Sequence, residues 1–150
     1  MTWKQNPFQH QETTYSFHIR QPCTLDLSEV GVGKTAPMIH FLNWAFHEEK
    51  IHRALIICPN SILDNWAREI KTWSEFSCVI LRGDRYKRAE LLEKPAPIYL
   101  INYEAVRIFL PLLQKKEFDA IICDEIHHAK TPGIPTTRSI LKLAATAKVR

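Results

Sequence analysis

The chain has 150 residues, of which 45% are hydrophobic and 24% charged, and a formal net charge of +4. This length fits one domain, and the composition is that of an average globular protein, which excludes an intrinsically disordered chain. The mild basicity permits a polyanionic partner without requiring one. No apolar run approaches the roughly 18 residues that a membrane span needs, and no secretory signal is visible, so we expect no membrane association.

The predicted elements alternate between strands and helices. In chain order they are a strand over 23–29, a helix over 36–49, a strand over 54–59, a helix over 61–73, a strand over 78–83, a helix over 85–93, a strand over 98–104, a helix over 103–113 and a strand over 120–125. Continuous apolar runs such as 54–59 are typical of parallel strands covered on both faces. The alternation implies right-handed crossovers and predicts an α/β fold with a mostly parallel sheet. Residues 130–137, rich in proline and glycine, are predicted as a loop.

The four cysteines show no close pairing along the chain. Cys58 and Cys123 lie within apolar strand-like runs, which favours buried free thiols over a metal site. No histidine pair has metal-ligand spacing with the cysteines, so the sequence predicts no zinc site.

A candidate phosphate loop joins the first predicted strand to the first predicted helix. It reads Ser28, Glu29, Val30, Gly31, Val32, Gly33, Lys34 and Thr35. Glycines let backbone N–H groups converge on an anion, and the following helix N-terminus adds partial positive charge. Lys34 would reach the β- and γ-phosphates, and the Thr35 hydroxyl would join a Mg²⁺ shell. Ser28 stands where the general pattern has glycine, and a plain strand-to-helix turn is the alternative.

An acidic pair follows the last predicted strand. Asp124 and Glu125 stand at the carboxyl end of that strand, where an open parallel sheet gathers its ligands. Asp124 would hold Mg²⁺, and Glu125 would orient or deprotonate the attacking water. His127 would then sense the γ-phosphate. A solvated strand end is the alternative, and the pairing with the loop at Lys34 favours the catalytic interpretation.

These two motifs together resemble motifs I and II of helicase superfamily two in its DExH form, the class with a P-loop, RecA-like three-layer fold. Residues 54–73 are similar to motif Ia of the Snf-type DNA translocases, with Asn65 and Trp66 on its helix, and residues 100–107 are similar to motif Ib. The family's loop usually begins Asp-Glu, so Ser28 departs from it and Glu29 agrees. The resemblance implies ATP and Mg²⁺ as cofactors and DNA, with duplex favoured, as the partner.

By the same resemblance, Gln11 contacts adenine, with Gln9 as the alternative. Pro59, Asn60 and Ser61 would lie in a loop that faces the nucleic-acid backbone, and Tyr103 in a second such loop. Ser61 is also a plausible helix N-cap.

Two further features, a pair of tryptophans and a charged stretch, have both a structural and a nucleic-acid interpretation. Helical spacing favours core packing over base stacking for Trp66 and Trp73. The charged stretch 82–88 is as compatible with a solvated turn as with a DNA-facing patch.

The resemblance further implies a second RecA-like lobe in cis that supplies an arginine finger. The strand leading to motif III would lie between the strands carrying motifs I and II, and the sequence stops at Arg150 where that strand would begin. We therefore expect residues 1–150 to form a truncated N-terminal lobe that hydrolyses ATP poorly alone and exposes unpaired strand edges.

The sequence is compatible with three functional interpretations. The leading one is the ATP-binding lobe of a motor that translocates on duplex DNA. The alternatives are another superfamily-two motor, such as an RNA or single-strand helicase or a restriction motor subunit, and a non-catalytic nucleotide- or partner-binding module. We expect the cytoplasm of a bacterial or phage-infected cell, with a nuclear protein as the alternative.

Overall fold

The computed structural model describes residues 7–21, 23–24, 33–126 and 134–150. Within these residues the chain forms six α-helices and four β-strands. They are α1 (Gln9–Arg20), α2 (Thr35–His47), β1 (Ala54–Cys58), α3 (Leu63–Trp73), β2 (Cys78–Ile80), α4 (Arg85–Glu93), β3 (Ile98–Asn102), α5 (Tyr103–Lys116), β4 (Ala120–Cys123) and α6 (Pro135–Ala144), with a 3-10 turn at Asn60–Ile62 between β1 and α3.

The four strands form one parallel sheet in the order β2-β3-β1-β4. In its register Cys58 of β1 is opposite Asn102 of β3, and Ile57 is opposite Cys123 of β4. The residues that follow these strands therefore lie along one edge, which we call the carboxyl edge. The α/β fold with a parallel sheet is confirmed.

Hydrophobic cores cover both faces of the sheet. Alternate residues of β1 point to opposite faces, so Leu55 and Ile57 join one core and Ile56 the other. Side chains of α5 and α6 complete the first core, and side chains of α2 and α3 complete the second. Burial on both faces explains why the strands are continuous apolar runs rather than alternating ones.

Several boundaries differ from the sequence-based expectations. Helices α1 and α6 were not predicted, and α6 includes Pro135–Thr137 from the predicted loop, because proline is well accepted at the first helical position. Ser61 was expected as an N-cap but lies inside the 3-10 turn, and α3 begins at Leu63 without a side-chain cap. Most of the predicted strand 23–29 lies outside the described residues.

The main chain near Arg150 packs beside β4. Val149 forms a parallel bridge with Ala120, and its carbonyl accepts a hydrogen bond from the Ile121 N–H at 2.9 Å. On the other side the Thr24 N–H donates to the Arg150 carbonyl at 3.0 Å. Residues 149–150 therefore lie between β4 and Thr24.

Candidate functional site

The described end of the phosphate loop runs directly into α2. Gly33 has φ +77°, a left-handed conformation that glycine adopts without strain, and Thr35 is the first residue of the helix. Lys34 and Thr35 are both half-buried, with unpaired main-chain N–H groups expected in this first turn. Pro37 lies in the same turn, where its missing N–H removes no helical hydrogen bond. The other predicted loop residues, Ser28, Glu29, Val30, Gly31 and Val32, lie outside the described residues.

Gln11 of α1 contacts this loop. Its Nε2 donates to the Gly33 carbonyl at 3.2 Å, and its Oε1 accepts from the Phe8 N–H at 3.0 Å. A Cβ on Gly33 would come within 2.9 Å of the same Nε2, so a side chain larger than hydrogen would disturb the contact. Gln9, the alternative, is exposed, and its main-chain carbonyl accepts a hydrogen bond from the Thr13 hydroxyl at 3.0 Å. The structure thus brings Gln11 rather than Gln9 to the phosphate loop.

Asp124 lies at the carboxyl edge, one residue after β4. Its N–H donates to the Ile57 carbonyl at 2.9 Å, which continues the β1–β4 ladder. Its carboxylate accepts two hydrogen bonds, from the Trp66 indole Nε1 to Oδ2 at 2.8 Å and from the Glu125 N–H to Oδ1 at 2.9 Å. Both donors are uncharged. Across the described ranges 7–21, 23–24, 33–126 and 134–150, no Lys, Arg or His forms an ion pair with Asp124.

Tyr103 supports Asp124 from the other face of the sheet. Its hydroxyl donates to the Asp124 main-chain carbonyl at 2.8 Å, and the residue is only 3% exposed. Burial is the largest cause that raises the pKa of Tyr103, so its phenol stays protonated and can donate. The expectation that Tyr103 faces DNA from a loop is corrected, because the residue begins α5 and its side chain points into the core.

Glu125 follows Asp124 in an unusual backbone conformation. Its φ of +55° is left-handed, which costs a residue with a Cβ on the order of 1 kcal/mol. This turn brings the Glu125 N–H back to the Asp124 carboxylate. Such strain is common at functional sites, where the surrounding structure maintains it. His127, the remaining predicted catalytic residue, lies outside the described residues.

The turn that follows β1 forms an open part of the carboxyl edge. Pro59 is half-buried, and Asn60 and Ser61 are exposed. Because Ile57 pairs with Cys123, this turn and Asp124 follow neighbouring strands. The structure thus brings these three predicted nucleic-acid residues to the same edge as the acidic pair.

Trp66 belongs to the core, as its helical spacing predicted, with 3% exposure. Sequence reasoning missed its hydrogen bond to Asp124. The bond could have been predicted from chemistry, because a buried indole N–H needs a hydrogen-bond acceptor. The carbonyl groups of core strands are already paired, so a polar side chain at a strand end is the natural acceptor.

The charged stretch 82–88 has mainly structural contacts. Arg82 pairs with Asp64 at 3.0 Å, and Arg88 donates to the Gly83 carbonyl at 2.7 Å and to Asn102 Oδ1 at 3.0 Å. The Asp84 carboxylate accepts from the Lys87 N–H at 2.8 Å and caps α4. These contacts favour the charged-turn interpretation over a DNA-facing patch.

The thiols near the site are un-ionised. Burial raises the pKa of Cys58 to about 12, with a smaller contribution from the Asp124 charge, and burial raises the pKa of Cys123 to about 12. Among the described residues no group of three or more His, Cys, Asp or Glu side chains could hold a metal ion. Mg²⁺ beside phosphates is usually held by one or two carboxylates together with phosphate oxygens, and Asp124 would supply one such carboxylate.

The chemical groups at these two places would suit a magnesium–nucleotide complex. Asp124 offers a carboxylate oriented by neutral donors, so its negative charge is available to a cation. Gly33, Lys34 and Thr35 offer main-chain N–H groups, an ammonium and a hydroxyl at a helix N-terminus, which suit phosphate oxygens. A parallel sheet of this topology, with a helix that follows Gly33 and an acidic strand end, is typical of a P-loop, RecA-like lobe.

The comparison with protein families agrees with this class. The sequence profile described as "SNF2-related domain" matches residues 20–149, which is nearly the whole chain. The protein belongs to the SNF2-related family. Gln11 and most of α1 precede the matched residues, so the Gln11–Gly33 contact comes from the structure and not from the family profile.

Curated relatives include the ISWI chromatin-remodeling complex ATPase ISW1 of Saccharomyces cerevisiae, which is 35% identical over 133 residues. The DNA repair and recombination protein RAD54B of Gallus gallus is 30% identical over 131 residues. These matches cover 83% and 81% of this chain but only 12% and 14% of the relatives, so the chain spans about one eighth of their length.

A solved structure described as the Sulfolobus solfataricus SWI2/SNF2 ATPase core in complex with dsDNA has the same fold. It superposes with a TM-score of 0.85 at 24% identity and covers 99% of this chain and 31% of that one.

The cellular origin stays a prediction. The relatives named above come from a yeast and a bird. They do not support the expected bacterial or phage source, and they are compatible with the nuclear alternative. In the described part of the chain no helix is both long and apolar enough to cross a membrane.

Proposed function

We propose that this chain is the N-terminal, ATP-binding lobe of a DNA-dependent ATPase that couples hydrolysis to translocation on duplex DNA. The observation that carries the proposal is the Asp124 carboxylate, oriented at the carboxyl edge by Trp66 and the Glu125 N–H with no cation among its described partners. Membership of the SNF2-related family supports the same activity.

The residues divide the binding of ATP between them. Loop N–H groups from Ser28 to Gly33 would bind the phosphates, and Lys34 would contact the β- and γ-phosphates. The Thr35 hydroxyl and the Asp124 carboxylate hold Mg²⁺, which would neutralise charge on the phosphate oxygens. Gln11 reads the adenine from its position against Gly33.

Hydrolysis then requires a positioned water. The water oxygen bonds to the γ-phosphorus while the bond to the β–γ bridging oxygen breaks, which releases ADP and inorganic phosphate. Glu125 orients this water and accepts its proton, and His127 senses the γ-phosphate. An arginine finger from a second lobe in cis completes the site, so the chain alone should hydrolyse ATP slowly.

DNA would bind along the exposed turn that follows β1. Asn60 and Ser61 offer hydroxyl, amide and main-chain groups, which suit contacts to backbone phosphates rather than to bases. The printed names of the relatives, a chromatin-remodeling ATPase and a DNA repair protein, support DNA as the partner. The structural neighbour's complex with dsDNA favours duplex.

Nucleotide binding by the chain tests the first half of the proposal. We expect Lys34→Ala to weaken ATP binding in calorimetric titrations by on the order of 10- to 100-fold, since a hydrogen bond to a charged group contributes about 1.5–3 kcal/mol. Lys50→Ala is the matched control, because Lys50 lies beyond the other end of α2 over the Trp44 ring. Equal affinity of both variants would contradict the proposal.

Nucleic-acid preference tests the second half. In the full-length protein we expect ATP hydrolysis to rise more with duplex DNA than with single-stranded DNA or RNA. Ser61→Asp should reduce duplex affinity several-fold by placing a negative charge beside a phosphate. Ser77→Asp, at an exposed position before β2 on the opposite edge, is the control. Stimulation by RNA alone would identify an RNA motor, and ATP binding without any hydrolysis would identify a non-catalytic module.

A further inference from the structure

The Trp66 indole is placed to do more than fill the core. Trp66 lies on α3 with 3% exposure, and its Nε1 donates to Asp124 Oδ2 at 2.8 Å. The contact joins a helix on one face of the sheet to the residue that follows β4. Asp124 is half-buried, so its charge is partly shielded from water, and the cost of that shielding is usually offset by a paired cation.

The two hydrogen bonds on Asp124 act on different oxygens. Trp66 occupies one lone pair of Oδ2, and the Glu125 N–H occupies one lone pair of Oδ1. Together they fix the rotation of the carboxylate about its Cβ–Cγ bond. The remaining lone pairs then have a set direction, which is the requirement for a metal ligand or for an acceptor of a metal-bound water.

The identity of the donor matters as much as its position. An Arg or Lys in place of Trp66 would also orient the carboxylate, but it would cancel the charge that attracts a divalent cation. The indole N–H is uncharged and has no acceptor lone pair, so it holds one oxygen without competing for the metal.

We propose that Trp66 is a positioning residue that sets the Asp124 carboxylate for the Mg²⁺ of the bound nucleotide. This inference rests on the proposed function, since it assigns Trp66 a role at the same site. It predicts that loss of the indole N–H reduces the gain in ATP affinity that Mg²⁺ provides. The affinity for ATP without Mg²⁺ should not change.

Trp73 provides a matched control on the same helix. Its indole Nε1 also donates to a carboxylate, Glu69 Oε2, at 2.7 Å, and its side chain also packs against the core. Replacing Trp73 by phenylalanine therefore removes the same chemical groups from α3 without touching Asp124.

The experiment compares Trp66→Phe, Trp73→Phe and the unchanged chain in ATP titrations with and without Mg²⁺. For Trp66→Phe we expect the gain in affinity from Mg²⁺ to fall by roughly 10-fold or more, in line with other residues that support a metal ligand. Metal-free ATP affinity should stay within about two-fold of the parent. For Trp73→Phe both quantities should match the parent. If Mg²⁺ raises the ATP affinity of Trp66→Phe as much as it raises that of the parent, the inference is overturned and the proposed function stays intact.

Indole N–H resonances give a second measurement that needs no change at Trp66. In ¹⁵N-labelled protein, Asp124→Asn and added Mg²⁺–ADP should each shift the Trp66 resonance and leave that of Trp73 in place. A Trp66 resonance that responds to neither overturns the inference. If the parent chain binds no nucleotide, the proposed function fails and this inference fails with it.

Discussion

Two aspartates flank β4, and they differ in the groups that surround them. Asp119 precedes the strand and accepts hydrogen bonds from the His52 N–H at 2.8 Å and the Arg53 N–H at 3.2 Å, while Lys148 pairs with its other oxygen at 2.9 Å. Asp124 follows the strand, and among the described residues its carboxylate accepts from the uncharged donors of Trp66 and Glu125.

The difference separates a structural carboxylate from one available to a ligand. Lys148 neutralises Asp119, and the pairing fixes the segment that packs beside β4. Asp124 is equally well oriented, yet its charge is left for a cation to balance. Orientation without neutralisation is therefore the feature that marks the candidate site, and acidic residues at strand ends do not all share it.

Glu125→Gln should produce the largest effect. In the full-length protein we expect the turnover of ATP to fall by roughly 10²- to 10⁴-fold, because the amide cannot accept the proton of the attacking water. ATP affinity should remain near the parental value. Glu117→Gln is the matched control, since Glu117 has a similar φ of +56° at the end of α5, near Asp119. Unchanged turnover in Glu125→Gln would favour the non-catalytic interpretation.

Gln11→Ala should reduce ATP affinity by about 10-fold, a value that corresponds to one hydrogen bond of about 1.4 kcal/mol. The variant loses the hydrogen bond to the Gly33 carbonyl and the predicted contact with adenine. Isothermal titration of ATP and GTP measures both affinities, and the loss should be greater for ATP. Gln9→Ala should bind ATP as tightly as the parent. An equal loss of ATP affinity in Gln9→Ala and Gln11→Ala would contradict the assignment of Gln11 to adenine.

Tyr103→Phe should lower the free energy of unfolding by about 1 kcal/mol, since a buried carbonyl loses its donor. For a chain of this length the thermal midpoint would fall by roughly 2–4 °C. Tyr99→Phe is the control, because the Tyr99 hydroxyl donates to the Lys94 carbonyl at the opposite edge. Only Tyr103→Phe should also weaken Mg²⁺-dependent ATP binding. The same weakening in Tyr99→Phe would show a general loss of stability instead.

Asp119→Asn should have the smallest effect, about 0.5 kcal/mol at neutral pH, because Lys148 is exposed and an amide oxygen in the place of Oδ2 still accepts both main-chain N–H groups. Burial opposes ionisation of Asp119, but the bonds to Lys148 and His52 outweigh it, and the pKa lies below its ordinary value of 3.8. A lowered pKa in the folded state stabilises the protein above pH 3.8, and this contribution disappears as the pH falls through the folded value.

Urea unfolding of the parent and Asp119→Asn across pH 3 to 7 measures this dependence. The difference in unfolding free energy should be constant near neutrality and shrink towards zero at the acid end. A difference that grows as the pH falls would reverse the assigned sign.

The strands and the acidic edge were predictable because their signals are local. Residues 120–123 are all apolar, and the acidic Asp124 and Glu125 follow at once. A strand buried on both faces has apolar residues at every position, so the strand and its acidic end can both be read from the sequence. Helix α1 was missed because none of its faces has a regular apolar stripe. Helix α6 was missed because its first residues, from Pro135, resemble a loop.

The contacts that define the site were less predictable than its residues. Asp124 is held by Trp66 from one face of the sheet and by Tyr103 from the other, 58 and 21 residues away along the chain. No periodicity encodes such pairs, which arise from the packing of two helices against one strand end. The family resemblance assigned Tyr103 to a DNA-facing loop, because its burial depends on the position of α5 and has no local signal in the sequence.

The account depends most on Asp124 and the loop at Lys34 serving one nucleotide, and one titration tests this directly. ATP affinity is measured with and without Mg²⁺ for the parent chain, Asp124→Asn and Asp119→Asn. We expect Mg²⁺ to strengthen binding in the parent and in Asp119→Asn, and to have no such effect in Asp124→Asn. An undiminished Mg²⁺ effect in Asp124→Asn would contradict the account.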